Sequence, residues 1–311
     1  MGRTNLPPKK EVLLLQNDNK RSATINGDPA RTSFEVGRTN LPPKKEVLLL
    51  QNDNKRSANL LDTHCHLNDN QFSDDLQQVI TNFLSAGVET TICVGCDPIS
   101  NNRAMKIAKD YKCVYYTVGI HPDDCAKYNK EEIEQYLKLN DNKLVAVGEI
   151  GLDYFHNKEN KEEQKQVFIS QIELAKKYKL PIVIHCRDAY GDTLDILKQH
   201  APFKFGAVMH CYGGSLEFAN ELIKLGVKMS FTGTVTYKNA VNVQQVVKNL
   251  PIDSFFFETD SPYLSPVPYR GKRNEPKNVV EIAKFVANLR GEDVNELMKV
   301  TTSNAKKFFK I

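Results

Sequence analysis

Of the seven histidines in this 311-residue chain, four stand near carboxylates at the ends of short apolar runs. Asp62-Thr63-His64-Cys65-His66 follows Leu60-Leu61. Glu149 closes LVAVGE, with Asp153 four residues further on. His185 closes PIVIH, His210 closes GAVMH, and Asp260 follows SFFFE in ETDSPY. His64 and His66 are two apart, so in an extended strand both imidazoles point to one face and Cys65 to the other. Such a pair is a compact bidentate metal clamp. A single strand-end histidine is ordinarily a hydrogen-bonded structural residue, but four histidines with two carboxylates on one rim favour a metal centre. His64, His66, Glu149 and Asp260 are expected to form one site and Glu149, His185 and His210 a second, with Glu149 bridging. Two divalent ions about 3.5–4 Å apart can activate a water between them and neutralise charge building on a phosphoryl oxygen. Asp260, close to that water, is the expected general base.

These residues need a scaffold that gathers strand ends. From Leu60 onward, strand-like runs end near His64, Gly95, Gly119, Glu149, His185, His210, Phe231 and Glu258. Helix-like stretches fall between them, around 73–86, 99–111, 130–139, 160–179, 191–200, 215–225, 240–249 and 277–290, with a last helix over 293–309. This alternation predicts an α/β fold of parallel strands with crossover helices. Eight such units in residues 60–311 match a (β/α)8 TIM barrel, about 250 residues in its usual form, with an extra C-terminal helix. A doubly wound open sheet would require a glycine-rich phosphate loop after the first strand, and LDTHCHLND has no glycine. In a barrel the singled-out residues share the C-terminal rim, where barrel enzymes collect catalytic groups.

Residues 1–59 are a separate matter. Positions 2–23 and 37–58 are the same string, GRTNLPPKKEVLLLQNDNKRSA, at an offset of 35. Structural repeats keep a pattern while their sequences drift, so perfect identity reads as a recent duplication or an artefact, an irregular extension outside the fold. It also dominates the charge. Residues 1–59 hold 11 Lys and Arg against 6 Asp and Glu, so the net +4 of the chain leaves 60–311 with 31 against 32. Overall basicity is therefore no argument that the folded part binds nucleic acid. The composition, 41% hydrophobic and 26% charged, excludes a wholly disordered or fibrous chain. Val12–Leu15 is too short for a signal-peptide core, and no apolar run approaches the roughly 20 residues of a membrane helix. Seven cysteines, an odd number, point to reduced thiols and a cytoplasmic or nuclear setting, with unconventional secretion left open.

LDTHCHL (61–67), VGIHP (118–122), GEIGLDY (148–154), IHCRD (184–188), HCYGG (210–214), ETDSPYL (258–264) and RGKRNEP (270–276) occur in this order. Together they make residues 60–311 resemble the TatD family of metal-dependent deoxyribonucleases, in the amidohydrolase-like superfamily. The resemblance implies a TIM barrel, two divalent ions and metal-dependent cleavage of DNA, often as a 3′→5′ exonuclease; single-stranded DNA or frayed ends are the expected substrate. It carries ligand roles onto His64, His66, Glu149, His185, His210 and Asp260. It also implies activity with Mg, whereas four imidazoles suit Zn, Mn or Fe better. The expectation is turnover with Mg or Mn and ready binding of Zn. Many amidohydrolases bridge their metals through a carboxylated lysine at the end of strand 4, where this chain has Glu149. Hydrolysis of a small ester, lactam or amide is therefore the second reading.

Several other residues are candidates for substrate contact. His121 either reaches a substrate phosphate or hydrogen-bonds within the rim. Arg187 either forks onto a phosphate or anchors its loop. Arg270, Lys272 and Arg273 are either phosphate-backbone contacts or a solvated charge run. Tyr154, Tyr212, Tyr263 and Tyr269 are placed to stack on unpaired bases if exposed. His156 and His200 read as surface residues. Cys93 and Cys96 form a lone CxxC without a partner motif, and Cys65, Cys186 and Cys211 are expected to point away from the metals.

Overall fold

The structure, a computed structural model, describes residues 60–311. The duplicated segment and its reading as an extension lie outside the described residues. Eight parallel strands run in chain order around one sheet: β1 (Leu60–Cys65), β2 (Val88–Cys93), β3 (Val114–Val118), β4 (Leu144–Asp153), β5 (Ile182–Arg187), β6 (Ala207–Met209), β7 (Val227–Phe231) and β8 (Phe255–Phe257). Eight helices follow them, α1 (Leu76–Ser85), α2 (Pro98–Asp110), α3 (Lys130–Lys138), α4 (Lys161–Tyr178), α5 (Tyr190–His200), α6 (Leu216–Lys224), α7 (Val241–Asn249) and α8 (Val279–Arg290), and α9 (Val294–Phe309) ends the chain. This is a (β/α)8 barrel. None of the described helices is long and apolar enough to cross a membrane, and all seven thiols are unpaired.

Local chemistry sets the helix boundaries. Asp97 caps α2 by accepting from Ser100 N, Ser100 answers to the Asp97 backbone N–H, and Pro98 occupies the first turn where no N–H is needed. Asp293 caps α9 in the same manner, and Gly291 ends α8 with φ +71°. The helices bury their apolar faces on the outside of the sheet. Leu61, Val145, Val183, Val208 and Phe256 form a second cluster with Ala305 and Phe309 of α9. These strand residues lie toward the N-terminal ends, so α9 covers the end of the barrel away from the histidines.

Two features position the site. The first is the seam between β1 and β8, which joins through Cys65 and Ser261 rather than a full ladder. Asp260 N donates to His64 O (2.9 Å) and His66 N to Ser261 O (2.7 Å). The buried Asp62 carboxylate accepts from Thr259 N (2.8 Å) and Thr259 Oγ1 (2.7 Å). The second is the length of β4. The sequence places its end at Glu149, but the strand continues to Asp153, pairing Gly151 with His185 and Asp153 with Arg187 across a register shift between Val147 and Ile150. Glycine makes this possible. Gly151 has φ +149°, and a Cβ there would lie 1.9 Å from His185 O.

Gly151→Ala is accordingly expected to force β4 and β5 apart and to lower stability by about 2–3 kcal/mol, roughly 5–10 °C in Tm. Thermal unfolding followed by circular dichroism checks this; an unchanged Tm would show that the close approach is not required.

Candidate metal centre

β4 carries Glu149 into the middle of the barrel mouth, where it is only 3% exposed. Its two oxygens face different histidines. Oε2 lies 3.4 Å from His64 Nε2 on β1 and 3.9 Å from His66 Nε2 just after it. Oε1 lies 2.8 Å from His185 Nδ1 on β5 and 2.9 Å from His210 Nε2 just after β6. Asp260 joins the first group, with Oδ1 3.1 Å from His66 Nε2 and 3.7 Å from His64 Nε2. All six residues expected to hold metal therefore converge.

The donor set fits divalent ions. Within each group the imidazole nitrogens face one another, His64 Nε2 to His66 Nε2 at 3.3 Å and His185 Nδ1 to His210 Nε2 at 3.4 Å. Two nitrogens each about 2.0–2.1 Å from a tetrahedral ion would be separated by roughly 3.3–3.4 Å. Lone pairs aimed at a common point, with a carboxylate oxygen beside each pair, suit an ion better than a hydrogen-bond network does. The groups His64, His66, Glu149 and Glu149, His185, His210 each bring three potential ligand atoms within 4.8 Å of one another.

A further layer orients these ligands. Asp153, fully buried, places Oδ2 3.0 Å from His185 Nε2, while its Oδ1 accepts from the backbone N–H groups of Phe155 and His156. Glu258 is held by Cys211 N and Ser230 Oγ, each at 2.6 Å, with Oε1 3.3 Å from His210 Nδ1. The His66 Nδ1 edge faces Val94 O at 3.2 Å. Carboxylate or carbonyl partners of this kind fix the tautomer and ring orientation of metal-binding histidines. The buried Nδ1 atoms of His64 and His210 make no hydrogen bond, Glu258 being an ionic neighbour of the latter; the two rings stack at 4.0 Å between centroids.

Electrostatics follow from this packing. Desolvation raises the Glu149 carboxyl pKa, but the surrounding imidazoles, His210 first, hold it well below the usual range. Desolvation lowers the imidazoles as well. It is outweighed by Asp260 at His66, by Asp153 and Glu149 at His185, and by Glu149 and Glu258 at His210, so all three titrate above the ordinary value. His64, buried beside His210, is lowered.

The other candidates divide. His121 lines the mouth, its Nδ1 accepting from Asp123 N (3.2 Å) and its Nε2 3.7 Å from Glu149 Oε1. Burial and His185 push its pKa down to about 3. His121 is thus a neutral imidazole whose Nε2–H points inward, a donor rather than a cation. Arg187 lines the same cleft, its guanidinium lying over Phe155 at 4.1 Å from the ring centroid. Arg270, Lys272 and Arg273 do not line it. The Arg273 guanidinium forks onto Asp75 (2.9 and 2.6 Å) and reaches Gln71 O, a clamp between the loop after β8 and the start of α1. Arg270 packs over Tyr237.

Tyr212 and Tyr154 are buried and Tyr269 lies outside the cleft, leaving Tyr263 as the exposed tyrosine lining it. His156, read as a plain surface residue, is half exposed but bonded to Asp153 Oδ2 at 2.9 Å and part of the cleft wall. His200, also read as a surface residue, is half-buried, its side chain 16% exposed and paired with Glu173. Cys65 contacts Thr91 and Ile92 O, and Cys186 and Cys211 contact Thr193 and Thr232, away from the imidazoles. Cys96 was the thiol that alternation missed. It lies in the loop beyond β2, where its Sγ donates to Glu149 Oε2 at 3.5 Å.

Comparison with known proteins shows the family of the chain. The sequence profile of the family described as TatD related DNase matches residues 61–310. A Bacillus subtilis strain 168 protein named as an uncharacterized metal-dependent hydrolase, YabD, is 43% identical over 253 residues, 81% of this chain and 99% of that protein. A Citrobacter koseri protein named 3′-5′ ssDNA/RNA exonuclease TatD is 33% identical over 258 residues, again 81% of this chain and 99% of its own length. The crystal structure of YjjV, a TatD homologue from Escherichia coli K12, superposes with a TM-score of 0.78 at 31% identity, covering 82% of this chain and 99% of that one.

Because ligation requires neutral imidazoles, ion binding must expel the protons held by His66, His185 and His210. Their pKa values lie above 6.5, so affinity for Zn or Mn is expected to weaken as pH falls through those values and to approach its limit above them. Calorimetric titration in two buffers of different ionisation heat checks this; binding without proton release at pH 6.5 would contradict it. Glu258→Gln is expected to lower metal affinity about 10–100-fold with little change in fold, read by the same titration.

Proposed function

The chain belongs to the TatD family of metal-dependent hydrolases, and from that premise we propose that it is a deoxyribonuclease, hydrolysing phosphodiester bonds of single-stranded or frayed DNA from the 3′ end. The observation that carries this reading is the division of Glu149 between two histidine groups, Oε2 toward His64 and His66 and Oε1 toward His185 and His210. The name of the Citrobacter koseri relative supports the choice of nucleic acid and of direction.

Two divalent ions, Mg or Mn for turnover, would supply a water of lowered pKa and positive charge for a phosphoryl oxygen. His64, His66, Asp260 and Glu149 would hold one of them, and Glu149, His185 and His210 the other. The protein's own groups then have distinct tasks. Asp260, with Oδ1 turned to His66, sits where it can accept the proton of the attacking water. His121 Nε2–H points toward the centre of the mouth, 3.7 Å from Glu149 Oε1, and Asp153 and Glu258 flank His185 and His210. Arg187 is the guanidinium available at the cleft wall for a non-bridging phosphate oxygen.

Glu149→Gln and Asp260→Asn are each expected to lower cleavage of end-labelled single-stranded DNA on the order of 10³-fold or more, while circular dichroism stays native. Chelation should abolish cleavage by the wild type, and Mg or Mn should restore it. Shortening from a free 3′ end, stopped by a 3′ block, is the expected pattern. Equal cutting of the blocked strand would convert the reading to an endonuclease. Hydrolysis of small esters or lactams, with no DNA cut under any metal, would replace it with the amidohydrolase alternative.

A further inference from the structure

The cleft above the metal centre is open, with a volume of about 990 Å³. Outside the ligands Glu149 and Asp260 and the His185 partner Asp153, the charge of its wall is unsuited to a polyanion: Asp69, Asp97, Asp123, Asp124 and Asp188 line it, and Arg187 is the only Lys or Arg among the described residues that do. Lys127 reaches two of the acids, Asp124 and Asp97, at 2.6 and 3.9 Å. The basic loop that follows β8 leads nowhere near: Arg273 is clamped by Asp75, Arg270 lies over Tyr237, and Lys272 is outside the cleft. Beyond the phosphate at the metal centre, a strand entering here meets, among the described residues lining the cleft, no second Lys or Arg to hold its backbone.

It does meet planar groups on opposite sides of the mouth: Tyr263 and the Arg187 guanidinium line the cleft, and Phe155, just outside that lining, carries the guanidinium on its ring. Tyr263, in the loop after β8, is 48% exposed yet ordered, because its OH donates to Asp69 Oδ2 at 2.7 Å. Its ring centroid lies 6.2 Å from that of His66. Across the barrel at the ends of β4 and β5, Phe155 is 51% exposed, with the Arg187 guanidinium over its ring at 4.1 Å and His156 against it edge-on at 4.9 Å. Strands β1 and β8 lie opposite β4 and β5 in an eight-strand barrel, so these two surfaces flank the metal centre.

We infer that substrate is gripped through its unpaired bases, by stacking on Tyr263 on one side and on the Phe155–Arg187 pair on the other, rather than through its phosphate backbone. This rests on the nucleic-acid reading above and sharpens it. A base in a duplex already has both faces covered, so such a grip selects single strands and frayed ends irrespective of sequence. Stacking of one base on an aromatic side chain is worth about 1–3 kcal/mol, roughly 5- to 150-fold in affinity. A grip that engages about one or two phosphates gives a shallow salt dependence, a slope of log K against log salt near −1, whereas a backbone-tracking groove gives several times that.

The test uses the full-length protein loaded with Mn and a thymidine decamer carrying 2-aminopurine, whose fluorescence falls on stacking, near its 3′ end. Rapid mixing reads binding before cleavage, and steady-state assays read KM and kcat. Fluorescence quenching on binding is expected, with a salt slope near −1. Tyr263→Ala and Phe155→Ala should each weaken binding about 10-fold and raise KM correspondingly, while Tyr263→Phe, which keeps the ring, restores most of the loss. Unchanged affinity in both alanine variants, or a salt slope of −3 or steeper, would overturn the inference. Cleavage of DNA without quenching would sink base stacking and leave the nuclease reading standing. Quenching that depends on Tyr263 and Phe155 with no cleavage under any metal would do the reverse. Absence of both binding and cleavage would overturn the two together.

Discussion

A carboxylate buried at the mouth of the barrel, that of Glu149, constrains the rest of the centre. Burying an ionised carboxylate without partners is prohibitively unfavourable, so each of its oxygens must face positive charge or a strong donor. Four imidazoles from the ends of β1, β5 and β6 or the residues just beyond them answer that requirement, two on each oxygen. Those imidazoles are themselves desolvated, and Asp260, Asp153 and Glu258 are the groups that hold them charged or oriented. The arrangement is an alternation of negative and positive layers outward from one residue. Divalent ions satisfy the same alternation at higher charge density, with the protons released.

Fold closure and site assembly are the same event in this protein. The β1–β8 seam has few ladder hydrogen bonds, and the contacts that replace them come from the residues of the DTHCH and ETDS motifs. Asp62 fastens Thr259 while its neighbours His64 and His66 face the centre, and the backbone N–H of Asp260 is tied to His64 O. Any loosening of the seam therefore displaces three ligands at once. On the opposite side of the barrel, the glycines of GEIG let β4 run against β5 closely enough for Asp153 to reach His185.

The outer part of the mouth follows a different physical rule from its floor. The floor is organised by charge. Its rim is acidic, with a neutral His121 and one guanidinium that is turned flat against an aromatic ring. On the reading proposed above, such a surface would favour planar uncharged groups over a continuous anionic backbone and leave attraction of phosphate to the centre itself.

Much of this was legible in the amino-acid sequence. Strand and helix periods are local, so all eight strands and nine helices fell near their expected positions, and the two-residue spacing of His64 and His66 determined that both would face one side. The ordered motifs placed every residue of the inner cluster at a strand end. What the sequence could not determine was anything that depends on which strands and loops meet. That β4 runs on to Asp153 is decided by its register with β5. That Glu258 backs His210, that Cys96 enters the centre from an irregular loop, and that Arg273 is spent on Asp75 are decided by contacts between segments distant in the chain. The four tyrosines near the motifs looked alike in sequence, and only packing buried Tyr154 and Tyr212 and left Tyr263 facing the cleft. Side-chain alternation acts over two residues, whereas burial and pairing act across the whole barrel, and the second kind of information exists only once the chain has closed.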